Sequence, residues 1–282
     1  MSSSLNHSKI RIKKKYGQHF LISEQVGHKL VALAEVNDRD TVLEIGAGTG
    51  FLTSILENKA KKVIAVEKDP ELFKLLKRKF SSNSKIELVE GDVLKIKLPS
   101  FNKIVSTPPY NISSKLILFI INKKMDSATM ILQKEFAERL IAKCGSKNYG
   151  RLTISVGRKA FVDIPEFVSR NAFYPVPKVD SAIVRILPRE PKLKLSNESF
   201  FDELVRELFN QRRKKLKKVL SNYLKRNYAL KIEDSWLDTA ILNKRVYEAS
   251  IEELELLSNK LHNEISRLRG DSRFGSPNNN FS

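Results

Sequence analysis

The stretch TVLEIGAGTGFL, residues 41–52, decides the fold. Thr41 to Ile45 is a run of strand-forming residues, Gly46, Gly48 and Gly50 follow at once, and the apolar pattern of Phe51 to Leu56 is helical. A strand, a tight glycine turn and a helix N-terminus are therefore expected. Glycine admits a positive φ and lets a ligand lie on bare backbone, and the first amides of a helix are free to donate. A nucleotide-like ligand is expected over Gly46 to Gly50. Taken alone, the glycine pattern fits a dinucleotide oxidoreductase, a methyltransferase or a plain tight turn equally well.

Outward from this turn, strands and helices alternate. A helix over 24–34, capped by Ser23, precedes it. After it come a strand over 62–67, a helix that Asp69 caps and Pro70 starts, strands over 86–89 and 103–105, a helix over 114–122 and a strand over 129–132. This is the pattern of an α/β protein with a doubly wound, mostly parallel sheet. Residues 152–162 and 179–187 read as two further strands, pairing antiparallel at the sheet edge. The PREP stretch at 188–191 marks a linker. Beyond it only helices are expected, over 199–209, 211–226, 235–242 and 250–268. The expected organisation is a basic flexible arm (1–15), a main domain (16–188), a small all-helical domain (192–268) and a disordered tail (269–282).

The 282 residues carry 51 Lys+Arg against 32 Asp+Glu, a net charge of +19. That excess argues for a polyanionic partner. It is concentrated in the arm, at Lys13, Lys14 and Lys15 among others, and between Arg206 and Arg226, where nine basic residues face one acid, Glu207. In the second stretch Arg212, Arg213, Lys214, Lys215, Lys217 and Lys218 are expected on one side of a helix, with Leu216, Val219, Leu220, Tyr223 and Leu224 on the other. Such a face suits the phosphate backbone of RNA and salt-dependent binding. Cys144 is the single cysteine, so neither an intrachain disulfide nor a cysteine-based zinc site is possible, and no metal is expected. No apolar run is long enough to span a bilayer, and the N-terminus lacks the apolar core of a signal peptide. A reducing, cytoplasmic setting and a monomer are expected. The lysine-rich start fits an RNA-contacting arm at least as well as an organellar presequence.

Three acids lie at strand ends around the glycine turn. Glu67 closes the second strand of the main sheet, where doubly wound folds place an acid on a ribose diol; Asp92 follows the third, in reach of an adenine edge. Glu44 sits beside the turn itself. It would repel a pyrophosphate and suit a ligand with a cationic amino-acid end, which points to S-adenosylmethionine. The fourth strand ends in Ser106-Thr107-Pro108-Pro109-Tyr110. The two prolines lock the turn, aiming Thr107 Oγ and the Pro108 carbonyl at the crevice, and Tyr110 offers a face for stacking a base. An adenine N6 amine is a poor nucleophile because its lone pair is delocalised. Acceptors on its N–H groups would favour a pyramidal nitrogen, so catalysis would rest on positioning and electrostatics.

Seven segments in order, YGQHFL (16–21), LEIGAGTGFLT (43–53), AVEKD (65–69), EGDVLK (90–95), PYNISS (109–114), FYPVPKVDSAIVRILP (173–188) and FNQRRKKLKKVL (209–220), resemble the ribosomal RNA adenine dimethyltransferases. The resemblance implies a Rossmann-like methyltransferase sheet, S-adenosylmethionine as methyl donor, and small-subunit ribosomal RNA in a pre-ribosomal particle as substrate. It implies that Gln18, His19 and Leu21 line the cofactor site, with Gly46 and Gly48 beneath the methionine portion, Glu67 on the ribose, and Asp92 and Val93 around the adenine. Thr107, Pro108, Tyr110 and Phe173 would hold the target adenine, Tyr110 and Phe173 by stacking. Two positions depart from the family pattern: His19, often Asn there, and Thr107, where the family's turn usually begins with Asn. A binding factor without methylating activity, and a methylase of large-subunit RNA, are the other functions compatible with this pattern.

Overall fold

A computed structural model describes residue 13, residues 16–232, residue 236 and residues 238–270. The chain divides into two compact units, one formed by residues up to Ile141 and by Lys159–Arg189, the other by Ala142–Arg158 and the residues from Glu190 onward. The chain thus enters the second unit twice, and PREP marks only the later crossing.

In the first unit β1 (Phe20–Leu21) and α1 (Glu24–Leu33) lead into β2 (Thr41–Ile45), α2 (Phe51–Leu56), β3 (Lys62–Glu67), α3 (Pro70–Lys79), β4 (Ile86–Glu90) and β5 (Lys103–Ser106). There follow α4 (Ser113–Ile120), β6 (Ser127–Gln133) and α5 (Lys134–Leu140). The helix ends follow the capping residues: Ser23 accepts from the Val26 amide, and Asp69 caps α3 with Pro70 in its first turn. Arg151–Lys159 is α6 and Ala160–Val168 is β7; β8 (Phe173–Tyr174) and β9 (Ser181–Pro188) complete the strands.

Seven strands form one sheet in the order β4-β3-β2-β5-β6-β9-β7. The first five are mutually parallel, and β9 runs antiparallel to both neighbours, β6 and β7. Val42, Leu43, Val63, Ile64, Ile104 and Val105 have no exposed surface, as strands covered on both faces require. Chain order reverses between β2 and β5, which lie side by side although β3 and β4 intervene in sequence. A crevice forms at such a switch point, outside the carboxyl ends of the strands.

Two expectations fail here. Residues 152–159 alternate like a strand but form α6, buried at Thr153, Ile154, Val156 and Arg158. The β-branched Thr153, Ile154 and Val156 give the segment a strand-like local preference that packing as a helix overrides. The strand starts later, at Ala160, and runs on to Val168; it tolerates Pro165 because the ladder shifts register between Asp163 and Glu166.

The second unit contains α7 (Glu198–Asn210), α8 (Leu216–Tyr228), α9 (Thr239–Asn243) and α10 (Ile251–Arg269). Phe200, Phe201, Leu204, Leu220, Tyr223, Leu257 and Ile154 of α6 share its core. Here too the sequence misleads. The helix expected from Gln211 begins only at Leu216, because the backbone of 212–216 bonds instead to 244–247: Leu216 N to Lys244 O, Val246 N to Lys214 O and Tyr247 N to Arg212 O. The helix expected from Ser235 starts at Thr239, and Ser235 lies outside the described residues. Arm residues 1–12, Lys14 and Lys15, and tail residues 271–282, also lie outside them. Among the described residues no helix is long and apolar enough to cross a membrane, and no group of three His, Cys, Asp or Glu could hold a metal ion.

Candidate active site

The carboxyl ends of β2 to β5 meet at the switch point, where the Ser106 hydroxyl donates to the Ile45 carbonyl at 2.7 Å and ties the end of β5 to that of β2. An open cleft of about 970 Å³ lies above them. Gln18, His19, Leu21, Glu44, Gly46, Gly48, Glu67, Asp92, Val93 and Thr107 all line it. Gly46 and Gly48 adopt φ of 75° and 58°, and a Cβ would fall 3.2 Å from Pro109 Cδ at the first and 3.0 Å from Phe20 Cδ1 at the second. Glycine is needed for both reasons: the left-handed backbone, and the close approach of the β5 turn and of β1.

Four amides of the glycine turn itself are taken within the protein. Those of Gly46 and Ala47 donate to the Val66 carbonyl, that of Gly48 to Glu67 Oε2 at 2.8 Å, and that of Gly50 to the Ala47 carbonyl. An anion would find few donors here and several carboxylates. Glu44 is 1% exposed and accepts from Thr53 Oγ1 at 2.6 Å; burial pushes its carboxyl up to about 8, with Thr53 only partly offsetting it. Burial also raises Glu67, although its Oε1 accepts from the Asp69 amide and its Oε2 from that of Gly48. At Asp92 the cost of burial is outweighed by Lys68 Nζ at 3.0 Å and the Leu94 amide, so this carboxyl lies below its ordinary value. A cleft floored by acids, with the Gly46, Ala47, Gly48 and Gly50 amides taken internally, suits a cationic nucleoside better than a pyrophosphate.

One wall of the cleft was only partly legible in the sequence. Lys13 Nζ donates to Asp69 Oδ1 at 2.7 Å, the Lys13 amide to Gln18 Oε1 at 2.8 Å, and Gln18 Nε2 to Asp69 Oδ2 at 3.0 Å. Burial would raise Asp69, but these donors and the Glu71 amide hold it below its ordinary value. Asp69, readable as a helix cap, thus also anchors the segment that carries Gln18 and His19. Tyr16, Gly17 and Asn111 line the same cleft and were not anticipated. Tyr16 and Gly17 belong to the YGQHFL segment and Asn111 to PYNISS, and that membership was the available signal.

Thr107, Pro108, Tyr110 and Phe173 line a second, much smaller and partly open cavity. Gly17, His19, Thr107 and Pro109 line both, so the two cavities share a wall. Tyr110 is fixed by a 2.7 Å bond between its hydroxyl and Ser181 Oγ, and burial raises its phenol. Its ring stacks on His19, with centroids 5.7 Å apart and planes at 24°. Phe173 meets it edge-on, at 68° and 6.5 Å, and is 2% exposed. The two rings do not form a parallel sandwich in this conformation.

Of the basic residues described in the second unit, Arg213, Lys214, Lys215, Lys217 and Lys218 are exposed. Arg212 is half-buried, its guanidinium donating to the carbonyls of Ser146 at 3.0 Å and Lys147 at 2.8 Å. Arg212, Arg213, Lys214 and Lys215 precede α8 rather than lying along it.

Known proteins are consistent with this arrangement. The family model described as "Ribosomal RNA adenine dimethylase" matches residues 9–259. The "Probable ribosomal RNA small subunit methyltransferase A" of Methanosarcina mazei is 40% identical over 257 residues, covering 89% of this chain and 94% of its own length. The crystal structure of a dimethyladenosine transferase from Plasmodium falciparum superposes with a TM-score of 0.75 at 32% identity, covering 88% of this chain and 98% of the other. A 23S rRNA methyltransferase, ErmE, gives 0.67 at 29% identity, covering 86% and 99%. The mostly parallel sheet with its antiparallel strand is the Rossmann-like methyltransferase fold, and the chain belongs to the ribosomal RNA adenine dimethylase family.

Proposed function

We propose that the protein transfers methyl groups from S-adenosylmethionine to N6 of two adjacent adenosines near the 3′ end of small-subunit ribosomal RNA, giving N6,N6-dimethyladenosine. One observation carries this reading: a donor cleft suited to a cationic nucleoside shares a wall, at Thr107 and Pro109, with a small aromatic cavity. The sulfonium of the bound cofactor supplies an activated methyl group. Every other requirement falls to the chain. Glu44 offers a carboxylate to the cationic end, Gly46 and Gly48 offer bare backbone, Glu67 offers lone pairs to a ribose diol, and Asp92 with Val93 borders the base. Gln18 and Leu21 close the cleft from the N-terminal side.

On the acceptor side Tyr110 provides a stacking face and Phe173 closes the cavity. Thr107 Oγ or the Pro108 carbonyl accepts from the N6 amine, restoring lone-pair density to a nitrogen that needs no strong base, since its proton can leave after transfer. Thr107→Ala should therefore slow transfer about tenfold or more while leaving cofactor affinity nearly unchanged, as expected for an interaction that acts on the transition state. An unchanged rate removes Thr107 from the mechanism. The target base must leave its stack to enter. The exposed basic residues Arg213, Lys214, Lys215, Lys217 and Lys218, with Lys14 and Lys15 of the arm, supply phosphate contacts, whereas Lys13 is held by Asp69. The protein would act as a monomer on a pre-ribosomal particle in the cytoplasm. The relatives' small-subunit names favour this substrate over large-subunit RNA. Mapping dimethyladenosine in RNA of cells with and without the gene tests the assignment: its loss from the small-subunit 3′ end supports it, and loss only from large-subunit RNA, or no change, refutes it.

A further inference from the structure

We infer that His19 contacts the target adenine itself, its Nε2 accepting a hydrogen bond from the N6 amine; this rests on the methyl-transfer reading above. His19 lines the acceptor cavity as well as the donor cleft. Its Nδ1 lies 2.7 Å from the Pro175 carbonyl oxygen, which can only accept, so Nδ1 carries a proton. In the neutral ring Nε2 is then the acceptor, and no described residue bonds it. His19 is half-buried where it lines both cavities, so an acceptor without a protein partner there is left for a ligand.

The orientation of the ring supports the same assignment. His19 and Tyr110 are stacked with their planes 24° apart and their centroids 5.7 Å apart, within the range of an offset stack. A base laid on the same face of Tyr110 would lie beside the imidazole and nearly in its plane. Edge-to-edge N–H···N bonding needs that coplanarity. Phe173, at 68° to Tyr110, lines the same cavity edge-on rather than parallel to that plane. An unmethylated N6 amine has two hydrogens, one for Thr107 or the Pro108 carbonyl and one for His19. His19 thereby also favours a base bearing an exocyclic amine over one bearing a carbonyl at the same position.

The test compares wild type with H19F, which keeps an aromatic ring without nitrogens, and H19N, which restores an acceptor oxygen. Wild type should convert small-subunit RNA to dimethyladenosine, H19F should lose ten- to a hundredfold in kcat with cofactor Kd changed less than threefold, and H19N should recover most of that loss. Melting temperatures establish that the variants fold. If H19F does not fold, H19A with and without added free imidazole replaces it, and acceleration by imidazole is expected. In 15N–1H spectra the neutral His19 ring should carry its proton on Nδ1. An H19F rate within twofold of wild type, a loss in cofactor affinity equal to the loss in rate, or an Nε2-protonated ring each overturns the inference while leaving the methyl-transfer reading intact. A wild-type protein that binds cofactor and forms no dimethyladenosine ends both.

Discussion

Binding of S-adenosylmethionine should expel a proton from Glu44. The side chain is 1% exposed beneath the glycine turn, and burial, its largest perturbation, raises the carboxyl to about 8 in the ligand-free protein. At pH 7 the group is then roughly nine-tenths protonated. A cation held against it favours the carboxylate and lowers its value, so a proton leaves on binding. The free-energy cost of that deprotonation is about 1.4 kcal/mol at pH 7 and about 2.7 kcal/mol at pH 6, one tenfold step in affinity per pH unit. Affinity should therefore rise about tenfold per unit up to pH 8 and level off above it. Calorimetric titrations in buffers of different ionisation enthalpy count the released protons. E44Q, which keeps an acceptor for Thr53 Oγ1, reports the titration of the ligand alone. The same sign governs stability: a carboxyl raised in the folded state favours folding most below its ordinary value of 4.5, and that contribution is lost as pH rises to about 8. E44Q should accordingly raise the melting temperature of the ligand-free protein at pH 8.5 and leave it nearly unchanged at pH 4.5. Equal proton release and parallel pH profiles for wild type and E44Q would refute the reasoning.

Three further outcomes are expected. Gly48→Ala places a Cβ 3.0 Å from Phe20 on a backbone at φ 58°; it should cost about 1–2 kcal/mol in urea denaturation and weaken cofactor binding at least tenfold, and wild-type affinity would contradict this. In the second unit Arg158 donates to the 2%-exposed Glu255 at 2.7 Å and to both oxygens of Glu198, so Arg158→Ala should destabilise by about 3–5 kcal/mol by leaving a buried carboxylate unpaired; a loss below about 1 kcal/mol would show that the network relaxes. Charge reversal at Arg213 and Lys218 together should weaken RNA binding and lower its salt dependence by roughly two phosphate contacts, with melting temperature unchanged; an unaltered salt slope would place the RNA elsewhere.

What the sequence revealed was what local pattern encodes. TVLEIG must be a strand running into a left-handed turn, Asp69-Pro70 must start a helix, and acids at three successive strand ends converge because parallel strands bring their carboxyl ends together. Contacts distant in sequence were not legible. LTISV alternates as a strand does, but tertiary packing overrides that local preference and makes it part of α6. QRRKK has ordinary helical propensity, yet its backbone is taken by residues 244–247 and the Arg212 guanidinium by two carbonyls near position 147. The strap from Lys13 through Gln18 to Asp69 spans more than fifty residues, and no periodicity announces it. The glycine turn was located correctly, but the use of its amides was not, since only the neighbouring strand shows that Val66 and Glu67 already occupy them.

The most direct test is to incubate purified protein with S-adenosylmethionine and immature small-subunit particles and to locate the modified nucleosides by mass spectrometry of RNA fragments. Dimethyladenosine is expected at two adjacent positions near the 3′ end of the small-subunit RNA, and none without the cofactor. Tight cofactor binding with no methyl transfer, or methylation confined to large-subunit RNA, would contradict it.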